Sequence, residues 1–232
     1  MIVIPYSLLR VSKTFKIVSA FSESAKQRAK ELFKILGVTT IELTPMEAEL
    51  AKLFTNVWRY IKFAVTNQFF MIANDAGCDY FRIHKAITTD YPRAQDLPGP
   101  GFAAGPCLFK DTMQLASFYQ NKFFLGHSAM LINEGLPNYV VECMRQKYNL
   151  KEKIIGILGM AFKADSDDKR ESLSYKLRKI LLIESKAVLC TDPYVDDPML
   201  LPLDEVIQHS DILVLGVPHS CYKGVDLKGK PI

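Results

Sequence analysis

The sequence predicts an α/β protein in three parts: a strand–helix–strand unit, an all-helical middle, and a closing parallel sheet with crossing helices. Three observations predict it. Two strand-like runs bracket a helical repeat within residues 1–43. From 44 to 150 the apolar residues recur at helical spacing, interrupted by one proline-rich loop. From 151 to 232 short apolar runs alternate with helical segments, the pattern of a parallel sheet.

Each element has a local reason. FKIVSAF (15–21) reads as a strand, and Ser22 opens a helix that carries Ala25, Ala29, Leu32, Phe33 and Leu36 on one side. Gly37 ends it, and VTTIEL is the second strand. TPME follows: Thr44 as N-cap, Pro45 at the first helical position and Glu47 three residues after the cap form a capping box. The helix it opens runs to about Ala76, where Gly77 stops it, and a helix this long suits a subunit interface. Shorter helices are predicted over 79–87, 111–119 and 128–148, with a Gly/Pro-rich loop over 90–106. KIIGILG, AVLCTDP and DILVLGV read as three strands, separated by helices over 172–184 and 203–208. Ligands of such sheets bind beyond the carboxyl ends of the strands, which points to the loop after KIIGILG. The chain stops at KGKPI, where a further strand would begin.

Bulk properties exclude several function classes. No apolar run in the 232 residues approaches the length of a membrane helix. MIVIPYSLLR lacks a basic start and is broken by Pro5 and Arg10, so it does not read as a signal peptide. No membrane partner and a cytoplasmic location are the expectations. A net charge of +4 without a Lys/Arg run gives no case for nucleic acid. The five cysteines are odd in number, scattered and without CxxC, which argues against a disulfide framework and against a zinc or other metal site.

Three constellations bear on chemistry. Cys107 sits in GPGFAAGPCLFKD among Gly99, Gly101 and Gly105, with Lys110 and a helix start close by. That setting suits a reactive thiolate that a ligand can approach, and it equally suits a cysteine filling a tight loop. Lys52 and Asn56 stand four apart on one helix face, with Glu49 in reach of Lys52; a solvated charged face is the competing reading. AFKADSDDKRES offers Lys163, Lys169 and Arg170 ahead of a helix, but Asp165, Asp167 and Asp168 cancel their charge. GILGMA has two glycines and no GxGxxG.

Together these segments resemble one family, the UDP-glucose/GDP-mannose dehydrogenases. GFAAGPCLFKD resembles its active-site loop, G-F/Y followed by G-x-C-x-x-K-D. EAELAKLFTN resembles its central helix, with Lys and Asn at i and i+4, and GILGMAFKADSDDKRES the start of its nucleotide-sugar-binding domain. The resemblance runs from about Phe15 to the end. It implies residues 1–43 as the remnant of an N-terminal dinucleotide-binding Rossmann domain, 44–150 as the helical dimerisation and catalytic domain, and 151–232 as a truncated Rossmann-like nucleotide-sugar domain.

The implied activity is NAD-dependent oxidation of the C6 alcohol of a nucleotide sugar, UDP-glucose-like, to a uronate. Cys107 is the implied nucleophile, passing through a thiohemiacetal and a thioester. Lys52 and Asn56 are implied to stabilise the oxyanion and position water, and Asp111 to assist hydrolysis. Arg93, Leu97, Gly101, Phe102, Phe162 and Lys163 are implied substrate contacts, with Arg93 reaching a neighbouring subunit's substrate. Lys110 and Arg170 are implied NAD contacts. A homodimer through the long helix follows, and a separate chain carrying the NAD domain is a further implied partner.

The chain departs from the family pattern in three places. It reads AAGP where members read GGS, Pro98–Gly99–Pro100 stiffens the loop, and the GxGxxG domain with its acidic loop is missing. The isolated chain is therefore expected to turn over little or nothing. The alternative is a non-catalytic nucleotide-sugar-binding or oligomerisation module. A cysteine hydrolase would need a histidine partner, and His84, His127, His209 and His219 lie in no recognised motif.

Overall fold

The structure, a computed structural model, describes residues 15–103 and 105–232. The opening MIVIPYSLLR lies outside the described residues. The chain divides into two units, one through Thr55 and one from Asn56 to Ile232.

In the first unit β1 (Lys16–Val18) and β2 (Thr40–Glu42) pair in parallel, Ile17 opposite Ile41, around α1 (Glu23–Ile35). Ser22 caps α1, its hydroxyl accepting the Ala25 N–H at 3.3 Å. The strands are shorter than their sequence patterns, because only three residues of each find a ladder partner. The predicted capping box is present at the start of α2 (Pro45–Asp75). Thr44 N–H donates to Glu47 Oε2 at 2.7 Å, and Glu47 N–H returns to Thr44 Oγ1 at 3.4 Å. The Thr44 N–H, with the Thr44 hydroxyl, holds the Glu47 carboxyl below its ordinary value.

The second unit combines the helical middle and the parallel sheet. From Asn56 onward α2 buries Val57, Tyr60, Ala64, Thr66, Asn67 and Ala73. Around it lie α3 (Tyr80–Thr88), α4 (Leu108–Phe118) and α5 (Phe124–Lys147). Two of these helices start earlier than the sequence predicts. α4 begins at Leu108, not Asp111, because Leu108 is buried in a cluster with Tyr60, Ala64 and Ala129. α5 begins at Phe124, not Ser128. Gly126 there packs so closely on Phe123 and Thr112 that a β-carbon would lie 2.5 and 3.1 Å from their side chains.

The sheet has the order β4-β3-β5, all parallel: β3 (Ile154–Leu158) in the centre, β4 (Ala187–Thr191) and β5 (Ile212–Leu215) beside it. α6 (Leu173–Glu184) and α7 (Leu203–His209) are the crossing helices. One core joins sheet and helices: Val141 and Met144 of α5 meet Ile155, Ile157, Leu177, Leu181 and Ile212. Among the described residues no helix is long and apolar enough to cross a membrane.

Just beyond β3, Gly159 has φ +91°, and a β-carbon there would lie 2.5 Å from the Val217 carbonyl oxygen. Both backbone conformation and space demand glycine. Gly159→Ala should lower unfolding free energy in urea by about 2–4 kcal/mol. A loss below about 0.5 kcal/mol would contradict this packing.

Candidate active site

Cys107 is exposed and stands at the N-cap position of α4, with φ −100° and ψ −41°. Its carbonyl accepts the Asp111 N–H at 2.9 Å, the first bond of the helix. The residue makes no side-chain capping bond, and it stands at the end of α4 where the helix dipole favours negative charge. One turn on, Asp111 is 5% exposed and its Oδ2 accepts from Asn56 Nδ2 at 2.6 Å. Lys110 Nζ is 3.5 Å from Asp111 Oδ1. The Asp111 carboxyl is thus buried in the first turn of a helix, bound by an amide and beside a cation.

The loop that carries Cys107 is held from behind. Asn67, fully buried on α2, grips the Gly101 backbone in both directions: Gly101 N–H donates to Asn67 Oδ1 at 2.9 Å, and Asn67 Nδ2 donates to Gly101 O at 3.0 Å. Asn67 Nδ2 also reaches Asn133 Oδ1 at 3.0 Å, and Asn133 Nδ2 donates to the Tyr60 carbonyl at 3.0 Å. Every bond replaces water that these buried amides have lost.

The loop after β3 meets this one. Gly105 has φ +110°, and a β-carbon on it would lie 2.8 Å from Phe162 Cδ2. Phe162 thus packs on the segment just before Cys107. Its own N–H donates to the Asp168 carbonyl at 2.9 Å. Lys163 is exposed, its Nζ 5.3 Å from the centre of the Phe162 ring. Arg170 grips Asp168 with two arms, Nε to Oδ1 at 3.0 Å and a terminal nitrogen to Oδ2 at 2.7 Å. That guanidinium, then the Arg170 N–H, brings the Asp168 carboxyl down to about 2. Arg170 itself is raised, first by Asp168, with a small contribution from the Cys107 sulfur, which is therefore within electrostatic reach.

The structure brings together Cys107, Asn56, Asp111, Lys110, Phe162, Lys163 and Arg170. Lys52 belongs to the first unit, four residues before Asn56 on α2. Arg93 is exposed, and the Leu97 carbonyl is engaged by His84 Nε2 at 3.1 Å. Gly101 and Phe102 line an apolar cavity of about 650 Å³ with Phe70, Tyr139 and Leu215; neither Cys107 nor Lys163 reaches it. Sequence reasoning missed Asn67 and Asn133, whose only signal is a polar residue on an otherwise apolar helix face. It also left His219 unassigned.

Two outcomes follow. Burial pushes the Cys190 thiol up to about 11. At pH 8 only about one part in a thousand of it is thiolate, by the usual titration relation. Iodoacetamide mapping of the folded chain should label Cys107 and leave Cys190 untouched; equal labelling would contradict the geometry. Asp168 should titrate near 2 by carbon NMR. Its folded value lies below the unfolded one, so its contribution to loop order is complete above about pH 4 and fades as pH falls through the folded value. Arg170→Gln should return the titration to the ordinary aspartate range, and an unmoved value would refute the pairing.

Residues 46–134 match the central domain of the UDP-glucose/GDP-mannose dehydrogenase family, and residues 156–230 match its UDP binding domain. The UDP-N-acetyl-D-mannosamine dehydrogenase of Methanocaldococcus jannaschii is 29% identical over 229 residues, 97% of this chain and 53% of the relative. That of Pyrococcus horikoshii is 32% identical over 218 residues, 91% of this chain and 51% of the relative. A solved structure of UDP-D-ManNAc dehydrogenase from Pyrococcus horikoshii superimposes with a TM-score of 0.85 at 27% identity, covering 97% of this chain and 55% of that one. The chain thus spans about half the length of the relatives it matches. On the two matched domains and the shared fold, the chain belongs to the UDP-glucose/GDP-mannose dehydrogenase family.

Proposed function

We propose that the chain takes part in NAD-dependent oxidation of the C6 alcohol of a nucleotide sugar to a uronate, with Cys107 as nucleophile. The observation that carries this reading is the exposed Cys107 at the start of α4, one turn from the buried Asp111–Asn56 pair. The names of the two relatives favour a UDP-N-acetyl sugar over UDP-glucose. The proposed domains are 1–43, 44–150 and 151–232.

The residues divide the work by their chemistry. The Cys107 thiolate forms a C–S bond to the C6 aldehyde while the carbonyl electron pair moves onto oxygen. Donors from Asn56 and Lys52 stabilise that oxyanion. NAD, when bound, supplies the hydride acceptor for both oxidations. In the last step water attacks the thioester carbon, Asp111 takes up its proton, and the C–S bond breaks to return the Cys107 thiolate. Phe162 and Lys163 would contact the sugar nucleotide, with Arg93, Leu97, Gly101 and Phe102 from the helical side. Lys110 and the exposed Arg170 are cations suited to the dinucleotide's phosphates. The fit ends there: the β1–α1 turn, Ser19 to Ser22, holds no glycine to cradle a pyrophosphate.

Trp58, Val65, Phe69 and Ile72 form an exposed apolar stripe along α2, which supports a homodimer through that helix. In such a dimer Arg93 would serve the partner's site.

Thermal shift with UDP-N-acetyl-D-mannosamine, UDP-glucose and GDP-mannose, then NADH formation with and without a second polypeptide carrying an NAD domain, tests the reading. Stabilisation by at least one nucleotide sugar is expected, with turnover only in the mixture. Cys107→Ala should lower turnover by at least about a hundredfold while leaving sugar-nucleotide affinity within about threefold. Binding with no NADH under any mixture would favour the non-catalytic binding module.

A further inference from the structure

Three loops leave the carboxyl ends of β3, β4 and β5, and one buried pair ties them together. Asp192, after β4, has a side chain wholly out of solvent, as has His219, after β5. Asp192 Oδ2 accepts the N–H groups of Met160 and Ala161 at 2.6 and 2.9 Å, and faces His219 Nε2 at 2.9 Å. Asp192 Oδ1 accepts from Tyr194 and Val195 in its own loop. Burial opposes the Asp192 charge, but the N–H groups of Tyr194, Met160 and Ala161 and the His219 ring outweigh it and hold the carboxyl below its ordinary value. On the ring's other side Asp165 N–H donates to His219 Nδ1 at 3.0 Å.

These contacts fix the tautomer. Nδ1 faces an N–H and must accept; Nε2 faces a carboxylate and must donate. They also fix the loop. Residues 160 and 161 hang on Asp192 and residue 165 on His219, so Phe162 and Lys163 stand on a span pinned at both ends. Asp165 is held at φ 53°, a conformation non-glycine residues seldom adopt, and its carboxylate is fastened by Ser220 N–H and Oγ, each at 2.9 Å. Tyr194 and Tyr222 enclose the imidazole, ring centres 5.1 and 5.4 Å away.

We propose that His219, seated on Asp192, is a positioning residue that sets the loop carrying Phe162 and Lys163 for its ligand. The ligand's identity as a nucleotide sugar rests on the function proposed above; the pin itself does not. Among the described residues the His219 side chain makes no hydrogen bond to Phe162 or to the Cys107 loop, and acts through Asp165 and Asp192.

The test has two arms on the full chain. The first needs no ligand. Nitrogen NMR should find the neutral His219 ring with its proton on Nε2, and hydrogen exchange should find the Asp165 amide protected. His219→Phe should speed exchange at Asp165 about tenfold or more, the scale of one lost buried hydrogen bond, while Ile155 and Ile157 in β3 keep their protection. His219→Asn places an oxygen where Nδ1 was and should restore most of the protection at Asp165; His219→Gln, which mimics Nε2, should not. A proton on Nδ1, or equal behaviour of the Asn and Gln variants, would overturn the pin.

The second arm is calorimetric binding of UDP-N-acetyl-D-mannosamine. Affinity should fall about tenfold in His219→Phe and recover in His219→Asn. Unchanged affinity with a loosened loop would overturn the positioning role. A wild-type chain that binds no nucleotide sugar would instead overturn the proposed function, and the first arm would still decide the pin.

Discussion

The candidate site depends on the close approach between Gly105 and Phe162. A hydrogen is all that position 105 can carry on the side facing the ring. That contact seats the loop ahead of Cys107 directly on the loop that leaves β3. The helical layer and the sheet already share a core, built from α5, α6 and the strands. What the Gly105–Phe162 contact adds is alignment: a sulfur at the start of α4, an aromatic ring from the sheet, and Arg170 within electrostatic reach of that sulfur. The sulfur comes from the start of α4, and the ring and the guanidinium from the loop between β3 and α6, so neither segment alone could hold all three.

Two kinds of restraint keep that alignment. On the helical side the restraint is amide to backbone, with Asn67 closing on Gly101 and Asn133 closing on Tyr60. On the sheet side it is ionic, with Asp192 and Asp168 each gathering several donors. Buried amides give geometry without charge, which suits a loop beside a reactive sulfur. Carboxylates fasten loops that start at the ends of parallel strands, where backbone N–H groups are exposed by the ladder's end.

How much was legible beforehand follows from where the information sits. The capping box at Thr44 and Glu47, the stop at Gly77 and the three strands of the closing sheet are written in neighbouring residues, and all are present. The start of α4 was not legible, because GPC reads as loop and only the burial of Leu108 against Tyr60 and Ala129 draws the helix back to it. The Asn67–Asn133 bond joins residues 66 apart, and the His219–Asp192 bond residues 27 apart. No local pattern encodes such pairs. The resemblance in GFAAGPCLFKD singled out Cys107, Lys110 and Asp111, but gave no hint that Asp111 would be buried and held by Asn56.

The first unit has a property of a different sort. Among the described residues its ladder has two strands, and α1 buries none of its own residues. Phe21 and Ile35 are 98% and 82% exposed. A two-strand ribbon with greasy side chains pointing outward is a template for adhesion between molecules. Colloidal behaviour of the purified polypeptide is therefore set in part by this unit, and a polar substitution at Phe21 or Ile35 is the direct way to change it.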